Sequence, residues 1–160
     1  MKYIGIFLFC IAVNILVKEK IYTVEKRQCE LSGFSALLRH IKREIGVFAK
    51  PVCEALAGFS SDSQEVMSFS EKVLSGVDIS VAFSEIKANL TLSGAECEIL
   101  ERLFSFLGRG YLSDSIKAIE NAESEFSELR NKYEGEAPKK TKIYRTVSIA
   151  LCVGLIIAVI

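Results

Sequence analysis

The chain has 160 residues, of which half are hydrophobic, and its twenty basic side chains balance twenty acidic ones. This length leaves room for one domain with a modest core between two apolar ends, and it excludes two domains. Residues 28–138 carry eleven basic and eighteen acidic side chains, and their net charge of −7 argues against binding to a nucleic-acid backbone.

The N-terminal segment is predicted to be a transmembrane helix over residues 3–22. Residues 3–17 contain no charged side chain. Fifteen helical residues rise only about 22 Å against roughly 30 Å of hydrocarbon, but Lys18 and Lys20 can extend their ammonium groups to the membrane surface. A cleaved signal peptide and a lipoprotein site at Cys10 are the alternatives, and the sequence lacks the small residues that either cleavage site needs.

Glycine, proline and Ser/Asp residues divide residues 18–138 into six helical segments, none of which shows a strand-like alternation. The first continues out of the membrane to Phe48 and ends at Lys50-Pro51, because the residue before proline disfavours the helical region. A short second helix then opens at Pro51 and stops near Gly58. Apolar residues at spacings of three and four predict a buried stripe on the first helix: Leu31, Phe34, Leu38, Ile41, Ile45 and Phe48.

Capping residues and glycines delimit the next three segments. The third follows Ser61-Asp62-Ser63 and ends at Gly76, with Leu74 on its apolar face. The fourth covers about residues 79–90. The fifth begins with a capping box formed by Ser93 and Glu96, places Phe106 in the core, and ends at Gly108.

The sixth segment starts near Ser113-Asp114 and carries Phe126 among its core residues. Gly135 and Pro138 are expected to break it before the second apolar segment. Residues 143–160 are predicted to form a second transmembrane helix, since they are apolar all round rather than on one face. A buried helix is the alternative for this segment.

The predicted fold is therefore all-α: a compact antiparallel bundle of about six helices over residues 23–138, flanked by N- and C-terminal transmembrane helices. Basic side chains adjoin both apolar segments on their inner side, and such charge marks the cytoplasmic side of a span. We accordingly expect a multi-pass protein of the cell membrane, with the lipid bilayer as one partner and the bundle in the cytoplasm. The basic residues at the membrane junctions are Lys18, Lys20, Lys26, Arg27, Lys139, Lys140, Lys142 and Arg145.

No catalytic, cofactor-binding or metal-binding residue is predicted. His40 is the single histidine, no cysteine lies at ligand spacing from it, and its charged neighbours indicate a solvated helix face. The five cysteines are odd in number and form no C-x-x-C pair, which favours a reducing compartment. Gly108-Arg109-Gly110 lacks the phosphate-loop pattern.

An acidic run on the sixth helix is the candidate partner-docking face. Runs of like charge are usually solvated surface, but this one is the best candidate that the sequence offers. It consists of Glu120, Glu123, Glu125 and Glu128.

The stretch Lys142-Ile143-Tyr144-Arg145-Thr146-Val147-Ser148, leading into the last apolar segment, resembles the stage III sporulation protein AB family. The resemblance covers most of the chain, including Lys50-Pro51-Val52, Glu98-Ile99-Leu100 and Phe106-Leu107-Gly108. The chain departs from the family pattern just after Gly108, where Arg109-Gly110-Tyr111 follows instead of an Asp and a Gln. It departs again at Ser148, where a glycine is usual.

The resemblance implies a sporulation protein of endospore-forming bacteria, located in the mother-cell membrane around the forespore. It implies membership of a secretion-like channel complex that connects the two cells. The resemblance also implies that the cytoplasmic domain of this chain is similar to the six-helix domain of type II secretion F-type platform proteins. The implied partners are a cytoplasmic ATPase, the stage III sporulation protein AA, and other channel subunits. Assembly into a homo-oligomer is also compatible with the sequence.

Three functions are compatible with these observations. The first is a non-enzymatic platform that docks the ATPase at the membrane. The second is a membrane-perturbing or pore-forming hairpin regulated by its helical domain, which the near absence of charge within the apolar segments disfavours. The third is a membrane-tethered enzyme, which needs a convergent polar pocket that the sequence does not indicate.

Overall fold

The computed structural model describes residues 2–107 and 112–159, and over these residues the chain forms six helices and no strand. The predicted all-α class and the number of helices are therefore confirmed for this part of the chain. The predicted end of the fifth helix at Gly108 and the Gly108-Arg109-Gly110 stretch lie outside it. The helices are α1 (Lys2–Phe48), α2 (Val52–Ala55), α3 (Gln64–Leu74), α4 (Ile79–Lys87), α5 (Gly94–Phe106) and α6 (Leu112–Val159).

Three helices begin at side-chain caps, and two of these caps, those of α3 and α5, are predicted from the sequence. The Ser63 hydroxyl accepts a backbone N–H of the first turn of α3 at 3.4 Å, and Asp78 accepts one at the start of α4 at 2.9 Å. Ser93 and Glu96 form the predicted capping box of α5. Just after the C-terminal end of α1, Ala49 adopts a left-handed φ of 51°, which turns the chain toward Pro51.

The centre of the bundle is a cluster of four phenylalanine side chains from four different helices. Ring centroids in this cluster lie 4.8 to 6.3 Å apart, within the range of favourable aromatic pairs. All four side chains are fully buried, so each joins its helix to the common core. The four residues are Phe34, Phe69, Phe83 and Phe104.

Three apolar residues expected in the core are wrong predictions. Phe48, Leu74 and Phe106 are 59%, 48% and 41% exposed. Each is the last residue of its helix, so the apolar stripe of the helix continues beyond the edge of the bundle. We call this edge the distal end: it comprises residues 47–53, 74–79 and 106–107.

The three helices α1, α3 and α5 run in the same direction. The start of α3 and the start of α5 lie beside residues 26–27 of α1, where Glu65 and Glu96 form ion pairs with α1. Their C-terminal ends meet around a cavity of about 600 Å³ that Ile45, Val77 and Leu107 help to line. The distal end is therefore opposite to the apolar ends of α1 and α6.

The first and last helices pack along each other in the most extensive helix contact of the bundle. The expected break of the sixth helix at Gly135 and Pro138 is wrong, because α6 continues unbroken through both. Pro138 cannot donate a hydrogen bond to the Glu134 carbonyl, but Pro138 is exposed and water can reach that carbonyl. Ala137 before it and Tyr144 after it pack on the core, so tertiary contacts hold the helix together.

The predicted transmembrane segments, residues 3–22 and 143–160, fall at the ends of α1 and α6. Among the residues described here, no helix has a stretch both long and apolar enough to cross a membrane. The two spans therefore stay predictions.

Candidate functional site: the junction of the bundle with its long helices

The region that links the bundle to the apolar ends contains the buried Glu30 and Tyr133 and adjoins the buried Glu96 of α5. We call it the junction: residues 18–30 of α1 and residues 130–146 of α6, which run side by side. Val24 and Tyr133 are both buried where the two helices meet. The Tyr133 hydroxyl donates a hydrogen bond to the Val24 carbonyl at 3.3 Å, so a polar group fixes the register of the helix pair.

Arg27 connects three helices at this junction. Its guanidinium carbon lies 4.3 Å from the centre of the Tyr133 ring on α6, the geometry of a cation–π contact. Its Nη2 donates to Glu96 Oε1 on α5 at 2.8 Å. The other oxygen of Glu96 accepts the Ser93 N–H at 2.6 Å, and the Glu96 side chain is almost fully buried. The Glu96 carboxylate therefore both caps α5 and pairs with the charge of Arg27 on α1.

A second buried carboxylate lies one turn further along α1. Glu30 is fully buried, and its Oε2 accepts both the N–H and the hydroxyl of Thr91, at 2.7 and 2.8 Å. Burial raises the pKa of Glu30, and the two Thr91 hydrogen bonds oppose the increase only in part. Its Oε1 accepts no hydrogen bond and lies 3.8 Å from Lys26 Nζ.

Lys26 joins Glu30 to the start of α3. Its ammonium lies 2.5 Å from Glu65 Oε1 and donates to the Asn89 carbonyl at 3.2 Å. The hydrogen bond to Glu65 raises the pKa of Lys26. At Glu65 burial acts to raise the pKa, but the hydrogen bond and the charge of Lys26 help to bring it below its ordinary value. These groups therefore tie α1, α3 and the loop before α5 into one polar layer.

Some of the basic residues predicted at the membrane junctions make ion pairs and the others do not. Lys140 pairs with Glu136 at 2.9 Å and lies 5.3 Å from the Tyr133 ring centre. Lys26 and Arg27 are part of the polar layer. The others are exposed and make no ion pair in the part of the chain that the structure describes: Lys18, Lys20, Lys139, Lys142 and Arg145.

Unpaired cations are concentrated near the apolar ends, whereas most basic side chains of the bundle make an ion pair. Among the basic side chains that the structure describes, the remaining unpaired ones are Lys117 and Lys132. Every other lysine or arginine whose side chain the structure describes, such as Arg39 or Lys87, contacts a carboxylate. Five of the seven unpaired cations thus lie next to the apolar ends.

The acidic run on α6 is not one free surface. Glu120 lies 3.2 Å from Lys42 on α1, and Glu123 accepts a hydrogen bond from Arg39 at 3.1 Å. Glu125 faces the opposite side of α6 and pairs with Arg102 of α5. Within the described residues Glu128 is exposed and has no ionic partner. Three of the four carboxylates therefore also hold α6 against its neighbours.

No side chain arrangement typical of a metal centre is present among the described residues, which contain no group of three His, Cys, Asp or Glu placed to hold an ion.

The predicted solvated environment of His40 is only partly right. Its ring packs 5.4 Å from the Phe59 ring, and Arg43 contacts its Nδ1 at 3.3 Å.

Sequence reasoning identified Glu96 as a cap but missed its partner Arg27, as well as Glu30 and Tyr133 as members of a polar layer. Arg27 and Glu96 are 69 positions apart, and Tyr133 and Val24 are 109 apart. The signal available in the sequence was the position of Arg27 and Glu30 on the otherwise apolar face of α1, since a charge at a core position needs a partner.

These features define an all-helical protein whose first and last helices extend from a bundle, through a polar layer, into two apolar ends. The chain belongs to the stage III sporulation protein AB family, whose profile matches residues 2–160. The resemblance noted in the sequence is thereby confirmed, and the protein is a stage III sporulation protein. Searches among curated proteins and among solved structures found no match.

Proposed function

We propose that this protein is a non-enzymatic platform subunit of a secretion-like channel complex in the mother-cell membrane around the forespore. In this proposal its apolar ends lie in the bilayer, and its bundle faces the cytoplasm. There the bundle docks an ATPase, the stage III sporulation protein AA, next to other channel subunits. Membership of the sporulation family supports the setting of this proposal.

The observation that carries the proposal is the continuity of the two long helices. Both α1 and α6 run without a break from an apolar end into the bundle, even past Pro138. Arg27 and Tyr133 lock the two helices together at the point where they enter the bundle. A displacement at the distal end is therefore passed to the apolar ends by a rigid pair rather than by flexible linkers, which suits a subunit that relays work.

The distal end and the adjoining acidic run of α6 are the surfaces proposed for the ATPase. The distal end presents Val47 and Phe48, which are 72% and 59% exposed, beside the 600 Å³ cavity. Exposed apolar side chains in such a group favour protein contacts. Further along α6, Glu128 supplies an exposed negative charge, and Glu120, which is paired with Lys42, lies between it and this end.

The experiment measures binding of the purified ATPase to the full-length chain in detergent. Phe48→Ser and Glu128→Lys should each weaken binding by about tenfold or more, as expected for residues inside an interface. Glu98→Lys is the matched control, because Glu98 on α5 is also an exposed glutamate without an ionic partner among the described residues. Absence of any binding by the native chain, together with normal spore counts in a deletion strain, would contradict the proposal. Dye leakage from vesicles containing the chain alone would favour the pore-forming hairpin instead.

A further inference from the structure

A single groove runs along one side of the α1–α6 pair at the junction. Two adjacent depressions, of about 520 and 470 Å³, share Glu25, Arg145 and Ile149 in their walls and so form one continuous surface. The part nearer the bundle is lined by polar groups such as Gln28 and Thr141. The part nearer the apolar ends presents mostly apolar surface.

The charges in this groove are predominantly positive and uncompensated. Lys18, Lys142 and Arg145 line it, and none of them makes an ion pair within the described chain. Glu25 is the one lining carboxylate without a cationic partner there, and Glu134 is already paired with Arg130 at 2.7 Å. The groove thus offers three free cations against one free carboxylate.

The mostly apolar part of the groove continues from these cations toward the ends of the long helices. Val17, Ile21 and Ile149 line it beside the polar Asn14 and Ser148, on the side of Arg145 that faces away from the bundle. A ligand that fits both halves has a negatively charged head of a few atoms and at least one hydrocarbon chain. A soluble anion would leave the apolar half empty, and an uncharged lipid would leave the cations unpaired.

We propose that this groove binds the head group of an anionic phospholipid, with its phosphate against Arg145 and Lys142 and an acyl chain along Val17 and Ile21. The phosphate pairs with cations that have no ionic partner among the described residues, and Arg145 can bind it through two N–H groups. The inference rests on the proposed function only in placing the apolar ends of the chain in a bilayer.

The test uses the full-length chain in a non-ionic detergent and follows its thermal unfolding. Phosphatidylglycerol should raise the midpoint in a concentration-dependent manner, since a ligand that binds the folded state stabilises it. Phosphatidylcholine and glycerol phosphate, each at the same concentration, should leave the midpoint unchanged. An equal shift with glycerol phosphate would indicate a small-anion site and overturn the lipid assignment.

Paired variants decide where the lipid binds. Arg145→Gln with Lys142→Gln should weaken phosphatidylglycerol binding roughly 25-fold, because each cation near an anionic lipid contributes about fivefold. Lys117→Gln with Lys132→Gln removes two other unpaired cations of α6 that lie outside the groove, and should bind lipid as the native chain does. Equal losses in both double variants would overturn the proposal, since they would indicate binding by overall charge.

The two proposals fail in different ways. Loss of lipid selectivity with intact ATPase binding would remove only the lipid site. Conversely, a chain that binds no ATPase yet still selects phosphatidylglycerol through Arg145 would leave the groove assignment standing and remove the platform.

Discussion

Arg27 on α1 lies over the ring of Tyr133 on α6 while its guanidinium donates to Glu96 on α5. One side chain thereby fixes three helices at the level where the bundle meets its long extensions. Glu96 is almost completely buried, and Arg27 is the cation that pairs with it. We regard this link as the mechanical centre of the proposed platform.

Removal of Arg27 should destabilise the bundle through Glu96. Arg27→Gln leaves a buried carboxylate without its cation and should lower the free energy of unfolding by about 2 kcal/mol, measured by urea denaturation of the full chain. Arg130→Gln is the control: Arg130 is as exposed as Arg27, but its partner Glu134 is accessible to water. The control should lose less than about 1 kcal/mol. Equal losses would contradict the role assigned to Glu96.

The buried carboxyl of Glu30 should make stability depend on pH. Because its pKa is raised in the folded chain, folded Glu30 retains its proton at a pH where the unfolded chain has lost it. The stability that this proton provides is complete below the unfolded pKa and is lost as the pH rises through the folded pKa. The difference in unfolding free energy between the native chain and Glu30→Gln should therefore fall as the pH rises from 4.5, the ordinary pKa of a glutamate. It should level off once the pH is above the folded pKa.

Glu136→Gln gives the opposite sign and serves as the control for Glu30. The hydrogen bond from Lys140 lowers the pKa of Glu136, so its contribution is present above the unfolded pKa and lost as the pH falls through the folded one. A difference between the native chain and Glu30→Gln that stays constant, or that rises with pH as for Glu136, would show that Glu30 is not buried in the way described.

Two glycines of α1 should respond oppositely to alanine. A Cβ at Gly33 would lie 2.7 Å from Ser61 Oγ and 3.0 Å from Val66 Cγ2, so the chain before α3 would have to move away. Gly33→Ala should therefore lower stability by about 1–3 kcal/mol. At Gly46 the nearest atom is Ile116 Cδ1 at 3.9 Å, and Gly46→Ala should raise stability by up to about 1 kcal/mol through helix propensity. Urea midpoints of the two variants that shift in the same direction would contradict this packing.

Neighbouring positions on α6 separate the core from the surface. Phe126 is fully buried, and Phe126→Asp should destabilise the bundle by about 4 kcal/mol or more, because the new charge has no partner. Glu125→Lys removes only the exposed pair with Arg102 and should change stability by less than about 1 kcal/mol. Circular dichroism during thermal unfolding measures both, and similar unfolding of the two variants would show that the face assignment of α6 is wrong.

Local signals in the sequence predicted most of the fold. Caps such as Ser63 and the Ser93–Glu96 box, together with Pro51, define helix ends through interactions only a few residues apart, and all are confirmed. The periodic stripe of α1 was right from Leu31 to Ile45 but wrong at Phe48, because periodicity does not indicate where the neighbouring helices end.

The errors and omissions concern contacts between distant segments. Pro138 favours a helix break locally, and packing of α6 on α1 outweighs this preference. The polar layer could not be predicted, since Arg27, Glu96 and Tyr133 meet only in the folded bundle. The acidic run is mostly exposed, and its role as a docking face stays a prediction. The pairing of Glu123 with Arg39 depends on the same helix contact and was also missed.

The most direct test of the account is protease protection in inverted membrane vesicles that carry the full-length chain with a tag at each end. We predict that both tags are protected while the bundle, including the loop at residues 88–93, is digested from outside. Digestion of either tag before detergent is added, or release of the chain from the vesicles by carbonate, would contradict the central claim that both apolar ends are held in the bilayer.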